Sequence, residues 1–115
     1  MPSVLSKAAV AVAVALAATI LDVRALGLET SQGLLISTPF YWNLNEGTRT
    51  WSQRFEKAHG AMPTFIQAGV YAATLHYLKA AATVKDPGDG AAVVAAMKKM
   101  PTDDPLFGKG KIRED

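Results

Sequence analysis

Cysteine is absent from the 115-residue sequence. That excludes disulfides, thiolate metal sites and cysteine nucleophiles, and leaves the redox compartment open. Charge is sparse: Asp, Glu, Lys and Arg make up 19%, against roughly 25% in an ordinary globular domain. The net charge of +2 comes from scattered Lys and Arg, with no basic stripe interleaved with aromatics, so no nucleic-acid partner is expected. Histidine is limited to His59 and His76, without a carboxylate or second His at ligand spacing, and no metal site is expected. No Ser stands on a strand-to-helix elbow with acid and base partners. Asp86-Pro87-Gly88-Asp89-Gly90 has the outline of a calcium loop but lacks its third ligand position and its distant bidentate Glu; it reads as a turn and a helix cap. Gly108-Lys109-Gly110-Lys111 is too short for a phosphate loop and leads into no helix. The sequence therefore carries no catalytic constellation, and neither an enzyme nor a cofactor is expected.

What is present is apolar. Half of the chain is hydrophobic, but much of that is Ala, which favours helix while removing little surface from water. The length suffices for one domain with a thin core. Residues 8–21 form an unbroken apolar or small run in which Thr19 is the only polar side chain, and Lys7 is the only charge before Asp22. That length suits the apolar core of a signal peptide and falls short of the roughly 20 residues that span a bilayer. Residues 1–20 are therefore expected to be an export signal or an apolar N-terminal helix, and residues 21–115 the functional domain. Without Lys7 the acidic and basic side chains come close to parity.

Leu34, Leu35 and Ile36 make a short continuous apolar run, as in a strand covered on both faces. Pro39 ends it, and Phe40, Tyr41 and Trp42 follow at once. A helix is expected over 48–59, with Trp51, Phe55 and Ala58 on its apolar face and Gly60 at a left-handed cap. Pro63 blocks its continuation. Thr64 and Gln67 have the spacing of a capping box and open the longest expected helix, 64–83, apolar on several sides. Asp89 caps a third helix that ends before Pro101. Asp103-Asp104 reads as a solvated turn, and 107–113 as a weak strand whose hairpin partner would lie beyond residue 115. A lone strand needs neighbours for its backbone groups, and a helix apolar on several sides needs a sheet to cover. The pattern fits part of a larger α/β domain. In such a domain the loops at the carboxyl ends of strands border the ligand crevice, which makes Tyr41, Trp42, Phe65 and Gln67 the candidate ligand-binding residues.

The order of motifs supports a resemblance. These are Asp22-Val23-Arg24-Ala25-Leu26-Gly27-Leu28-Glu29, Gln32-Gly33-Leu34 leading to Phe40-Tyr41-Trp42, and Thr48-Arg49-Thr50-Trp51 with Arg54-Phe55. Met62-Pro63-Thr64, Gln67-Ala68-Gly69-Val70-Tyr71, His76-Tyr77-Leu78-Lys79-Ala80, Met97-Lys98 and Lys111-Ile112-Arg113-Glu114-Asp115 follow. Over residues 21–115 the chain resembles the C-terminal portion of a periplasmic substrate-binding protein of an ABC transporter, of the branched-chain amino-acid (Leu/Ile/Val) type. The resemblance implies an α/β fold: a fragment of the periplasmic-binding-protein type I fold, mostly helical as it stands with one or two short strands. It also implies a hinged two-lobed protein that closes over an amino acid or related small solute and delivers it to an ABC permease in the inner membrane. Such proteins place most of their length before this region and continue past residue 115 with a returning strand. The expectation is therefore a truncated or rearranged member, exported to the periplasm, marginally stable alone and prone to self-association through unsatisfied apolar surface. The alternative is a small exported or membrane-tethered helical protein acting by protein–protein contact, its apolar strand completing another protein's sheet by edge addition.

Overall fold

The computed structural model describes residues 18–114. Most of the signal-like tract lies outside that range. Among the described residues the order is four helices, α1 (Ile20–Leu26), α2 (Glu46–His59), α3 (Phe65–Ala81) and α4 (Gly90–Lys99), then a hairpin of β1 (Thr102–Asp104) and β2 (Gly108–Gly110). Among the described residues no helix is long and apolar enough to cross a membrane.

Local chemistry fixes each helix start. Before α2 the Asn45 amide donates to Thr48 Oγ1 at 3.0 Å, and the Thr48 amide donates to Asn45 Oδ1 at 2.9 Å. Two orphan donors are thus satisfied reciprocally, and the helix begins two residues earlier than its apolar periodicity suggests. Gly60 ends it with φ 84° and ψ 4°, its amide donating to the Glu56 carbonyl at 2.7 Å. That left-handed cap is a conformation glycine adopts without strain. For α3 the expected box forms: the Thr64 amide donates to Gln67 Oε1 at 2.9 Å, and Thr64 Oγ1 accepts from the Ile66 amide at 3.2 Å. Asp89 caps α4, accepting from the Ala92 amide at 3.1 Å.

The core is aromatic and small. Phe40, Trp51, Ala68 and Leu106 are buried together, with Trp42, Phe55, Phe65 and Tyr71 packed around them. Phe40 meets Trp51 edge to face, centroids 5.7 Å apart and planes at 88°, and Trp51 also stacks near Phe55 and Tyr71 at 5.5 and 5.3 Å. Edge-to-face pairing follows from the ring quadrupoles. Helix α4 lies against α3. There His76, buried in α3, donates from Nε2 to the Met97 carbonyl of α4 at 3.0 Å.

Three expectations are corrected. Residues 34–37 form no strand and pair with no other segment among the described residues. Apolar sequence sets the strand's readiness, whereas a ladder needs a second segment in reach. Asp103 and Asp104 are not a free turn: they belong to β1, which pairs antiparallel with β2, Thr102 opposite Gly110 and Asp104 opposite Gly108. The expected strand in 107–113 is therefore confined to Gly108–Gly110 and turns back onto the preceding segment. Asp104 Oδ1 makes the turn, accepting from the Leu106 and Phe107 amides at 2.8 and 3.0 Å, as Asx turns do. Finally, α1 was not foreseen. Thr19 and Asp22 form its capping box.

Candidate functional site

The aromatic loop, the first turn of α3 and α1 enclose a groove of about 530 Å³. That volume falls in the range of small-molecule pockets, roughly 300–1,000 Å³. The chain bends at Pro39 after the apolar segment 34–37, and Phe40 drops into the core at 3% exposure. With Phe40 anchored, Tyr41 and Trp42 lie side by side on the groove wall, centroids 5.7 Å apart and planes at 53°. Phe65 reaches the same groove from the start of α3, where Pro63 and the Thr64 cap hold it. Ile36 adds an aliphatic floor, and Ile20, Val23 and Leu28 come from α1 and the segment after it.

Among the described residues the lining contains no charged side chain. Its hydroxyls are mostly engaged: Thr38 Oγ1 donates to the Phe40 carbonyl at 3.0 Å, and Thr64 Oγ1 donates to Gln67 Oε1 at 2.7 Å. Such a surface receives the apolar part of a ligand, and any charged ligand group must be met from outside the groove.

Of the four residues singled out from the sequence, Tyr41, Trp42 and Phe65 are brought together here. Gln67 is not. It borders a second groove of about 600 Å³ between α2 and α3, with Trp51, Phe55, Ile66 and Val70, and its Oε1 is committed to the Thr64 cap. Sequence reasoning missed the contribution of α1. Thr19 three residues before Asp22 was the available signal, since that spacing allows a capping box.

Asp22 lies in the first turn of α1. Its Oδ2 accepts from the Thr19 amide at 2.6 Å and from the Thr19 hydroxyl at 2.8 Å. These bonds, the backbone one first, hold its carboxyl below the ordinary aspartate range. The depressed value means that the charged form supports α1 fully above the ordinary aspartate pKa. That support fades as pH falls through the lowered value. Acid pH should therefore lower the protection factors of the α1 amides first, each taken against the intrinsic exchange rate at that pH, and Asp22→Asn should abolish this pH dependence. An unchanged pH profile in Asp22→Asn would remove the cap from the account.

The matches to known proteins bear on the same elements. A periplasmic binding protein from Burkholderia mallei superposes with a TM-score of 0.77 at 42% identity, over 84% of this chain and 25% of that one. A branched chain amino acid ABC transporter periplasmic ligand-binding protein from Burkholderia xenovorans gives 0.70 at 41%, over 75% and 23%. The periplasmic binding protein family model matches residues 5–115. The chain belongs to the periplasmic binding protein family.

Membership bears out the expected fold class, with the helical content and two short strands described above. It also implies a periplasmic location. No curated protein matches the chain. The chain spans about a quarter of the length of the solved binding proteins that it matches.

Proposed function

We propose that this chain serves as part of the substrate-binding component of an ABC transporter. Its solute is a branched-chain amino acid or a related small molecule with an apolar side chain. The observation that carries the reading is the groove in which Tyr41, Trp42 and Phe65 converge, its described lining free of charged side chains. Tyr41 and Trp42 contact the solute's apolar portion, and Phe65 closes the opposite side. Gln67 acts from the second rank, holding Thr64 and hence the first turn of α3 in place. The name of the Burkholderia xenovorans relative, a branched chain amino acid ligand-binding protein, supports the choice of solute. The solute is then handed to an inner-membrane ABC permease, with no chemical change. Export to the periplasm runs through the signal-like residues 1–20.

Titration of the full chain with leucine, isoleucine, valine and a panel of other aliphatic and aromatic amino acids tests this. A saturable heat, accompanied by a change in tryptophan fluorescence, is expected for aliphatic members. Tyr41→Ala and Trp42→Ala should each weaken the interaction about tenfold, consistent with the loss of one well-buried aromatic contact. No heat with any member of the panel would leave the family relationship as ancestry without binding.

A further inference from the structure

A groove of about 470 Å³ between α3, α4 and the hairpin takes no part in the aromatic site. Met97, Met100, His76, Lys79, Phe107 and Ile112 are among its lining. The sequence has four methionines, Met1, Met62, Met97 and Met100, and no cysteine. Thioethers are therefore its only sulfur, and two of them meet in this one groove. Both residues are half-buried and line a space that water can enter.

Met97 is also where α4 is fastened to α3. A helical carbonyl accepts from the amide four residues on. For Met97 that residue is Pro101, which has no amide hydrogen. His76 Nε2 supplies the missing donor at 3.0 Å, and since a carbonyl only accepts, Nε2 carries the proton. His76 itself is 7% exposed. Val93 is the only fully buried side chain that α4 contributes among the described residues. Lys98 adds one exposed bond, from Nζ to the Glu114 carbonyl at 2.9 Å. The last turn of α4 thus depends on the His76 bond and on the thioethers packed beside it.

We infer that Met97 and Met100 form a sulfoxidation site, at which a hydroperoxide oxidises the thioethers and loosens α4 from α3. A sulfur lone pair attacks one peroxide oxygen, and the S–O bond forms as the O–O bond breaks. With hydrogen peroxide, the departing hydroxide takes the proton of the transferred oxygen and leaves as water. Sulfur is oxidised by two electrons and the peroxide reduced by two. The product is methionine sulfoxide, polar where the thioether was apolar. At Met97 the new acceptor arises on the same residue whose carbonyl uses the His76 proton. By competing for that donor or drawing water into the groove, it weakens the fastening. A sulfoxide reductase reverses the change. The inference does not depend on solute binding in the aromatic groove.

The test treats the full chain with hydrogen peroxide, locates sulfoxide by peptide mass and follows α4 by amide exchange. Sulfoxide is expected at Met97 and Met100, with protection of the α4 amides falling roughly tenfold or more relative to α2. Methionine sulfoxide reductase with a thiol reductant should restore that protection. Met97→Leu combined with Met100→Leu conserves the volume of the groove wall and should remove the response. Met62→Leu should retain it, because Met62 does not line this groove. If the double variant does not fold, each single variant is expected to lose its share of the response. Sulfoxide at neither residue would overturn the proposal. So would oxidation that leaves α4 protection unchanged, or an equal fall in the double variant, since the damage would then lie elsewhere.

Discussion

Trp51→Ala is expected to cost about 3–5 kcal/mol, the usual range for emptying a large aromatic site, and to abolish cooperative folding. Trp51 is 6% exposed and stands between Phe40, Phe55 and Tyr71. Through Phe40 it holds the aromatic loop, and through Tyr71 it holds α2 against α3. With so thin a core no second cluster of similar size among the described residues takes over, and the net stability of a domain is only about 5–15 kcal/mol. Urea denaturation followed by far-UV circular dichroism gives the number. A loss below about 1 kcal/mol would mean that Trp51 is not the keystone of this packing. Because Tyr41 and Trp42 are set by the position of Phe40, the groove should be lost with the fold.

Gly47→Val is expected to destabilise by about 1–3 kcal/mol, the typical cost of overpacking. Gly47 lies in the first turn of α2, where a Cβ would come 2.8 Å from Pro105 Cβ and 3.2 Å from the Pro105 carbonyl oxygen. Pro105 begins the hairpin turn, and its ring cannot swing away as a flexible side chain would. The hairpin therefore has to move off α2 and draw Leu106 out of the core. Helix propensity opposes this, since replacing glycine in a helix gains up to about 1 kcal/mol, but the clash is the larger effect. Gly69→Ala is the matched control. It also lies within a helix and has open space around it, so it should stabilise by about 0.5–1 kcal/mol. Denaturation midpoints moving in the same direction for both variants would contradict the close approach of Gly47 to Pro105.

The elements legible in the sequence are those decided within a few residues. Thr64 and Gln67 announce the start of α3, Gly60 the end of α2, and Asp89 and Pro101 the bounds of α4, because capping and termination are local chemistry. Trp51 and Phe55 were readable as a buried face from their spacing. The hairpin was not, because its pairing joins Thr102 to Gly110 through an Asx turn that looks like ordinary solvated sequence. Residues 34–37 mislead in the opposite direction. Their apolar character is that of a covered strand, yet no described segment pairs with them. At the site, three aromatics after a strand-like run pointed to Tyr41 and Trp42, and a helix start pointed to Phe65. Their convergence depends on Phe40 anchoring the loop, which no spacing announces. Gln67 shows the limit of the same reasoning: the spacing that marked it as near a rim is the spacing that commits its oxygen to the cap.

The polypeptide carries two apolar surfaces, residues 34–37 and one face of α3, that its described residues leave uncovered. Amide hydrogen exchange on the full chain, in dilute solution where it is monomeric, tests that most directly. Strong protection is expected through α2 and α3, and exchange close to the unprotected rate at Leu35, Ile36 and Ser37. Protection of those three amides equal to that of the α3 interior would contradict it, since their backbone partners would then lie within the chain itself.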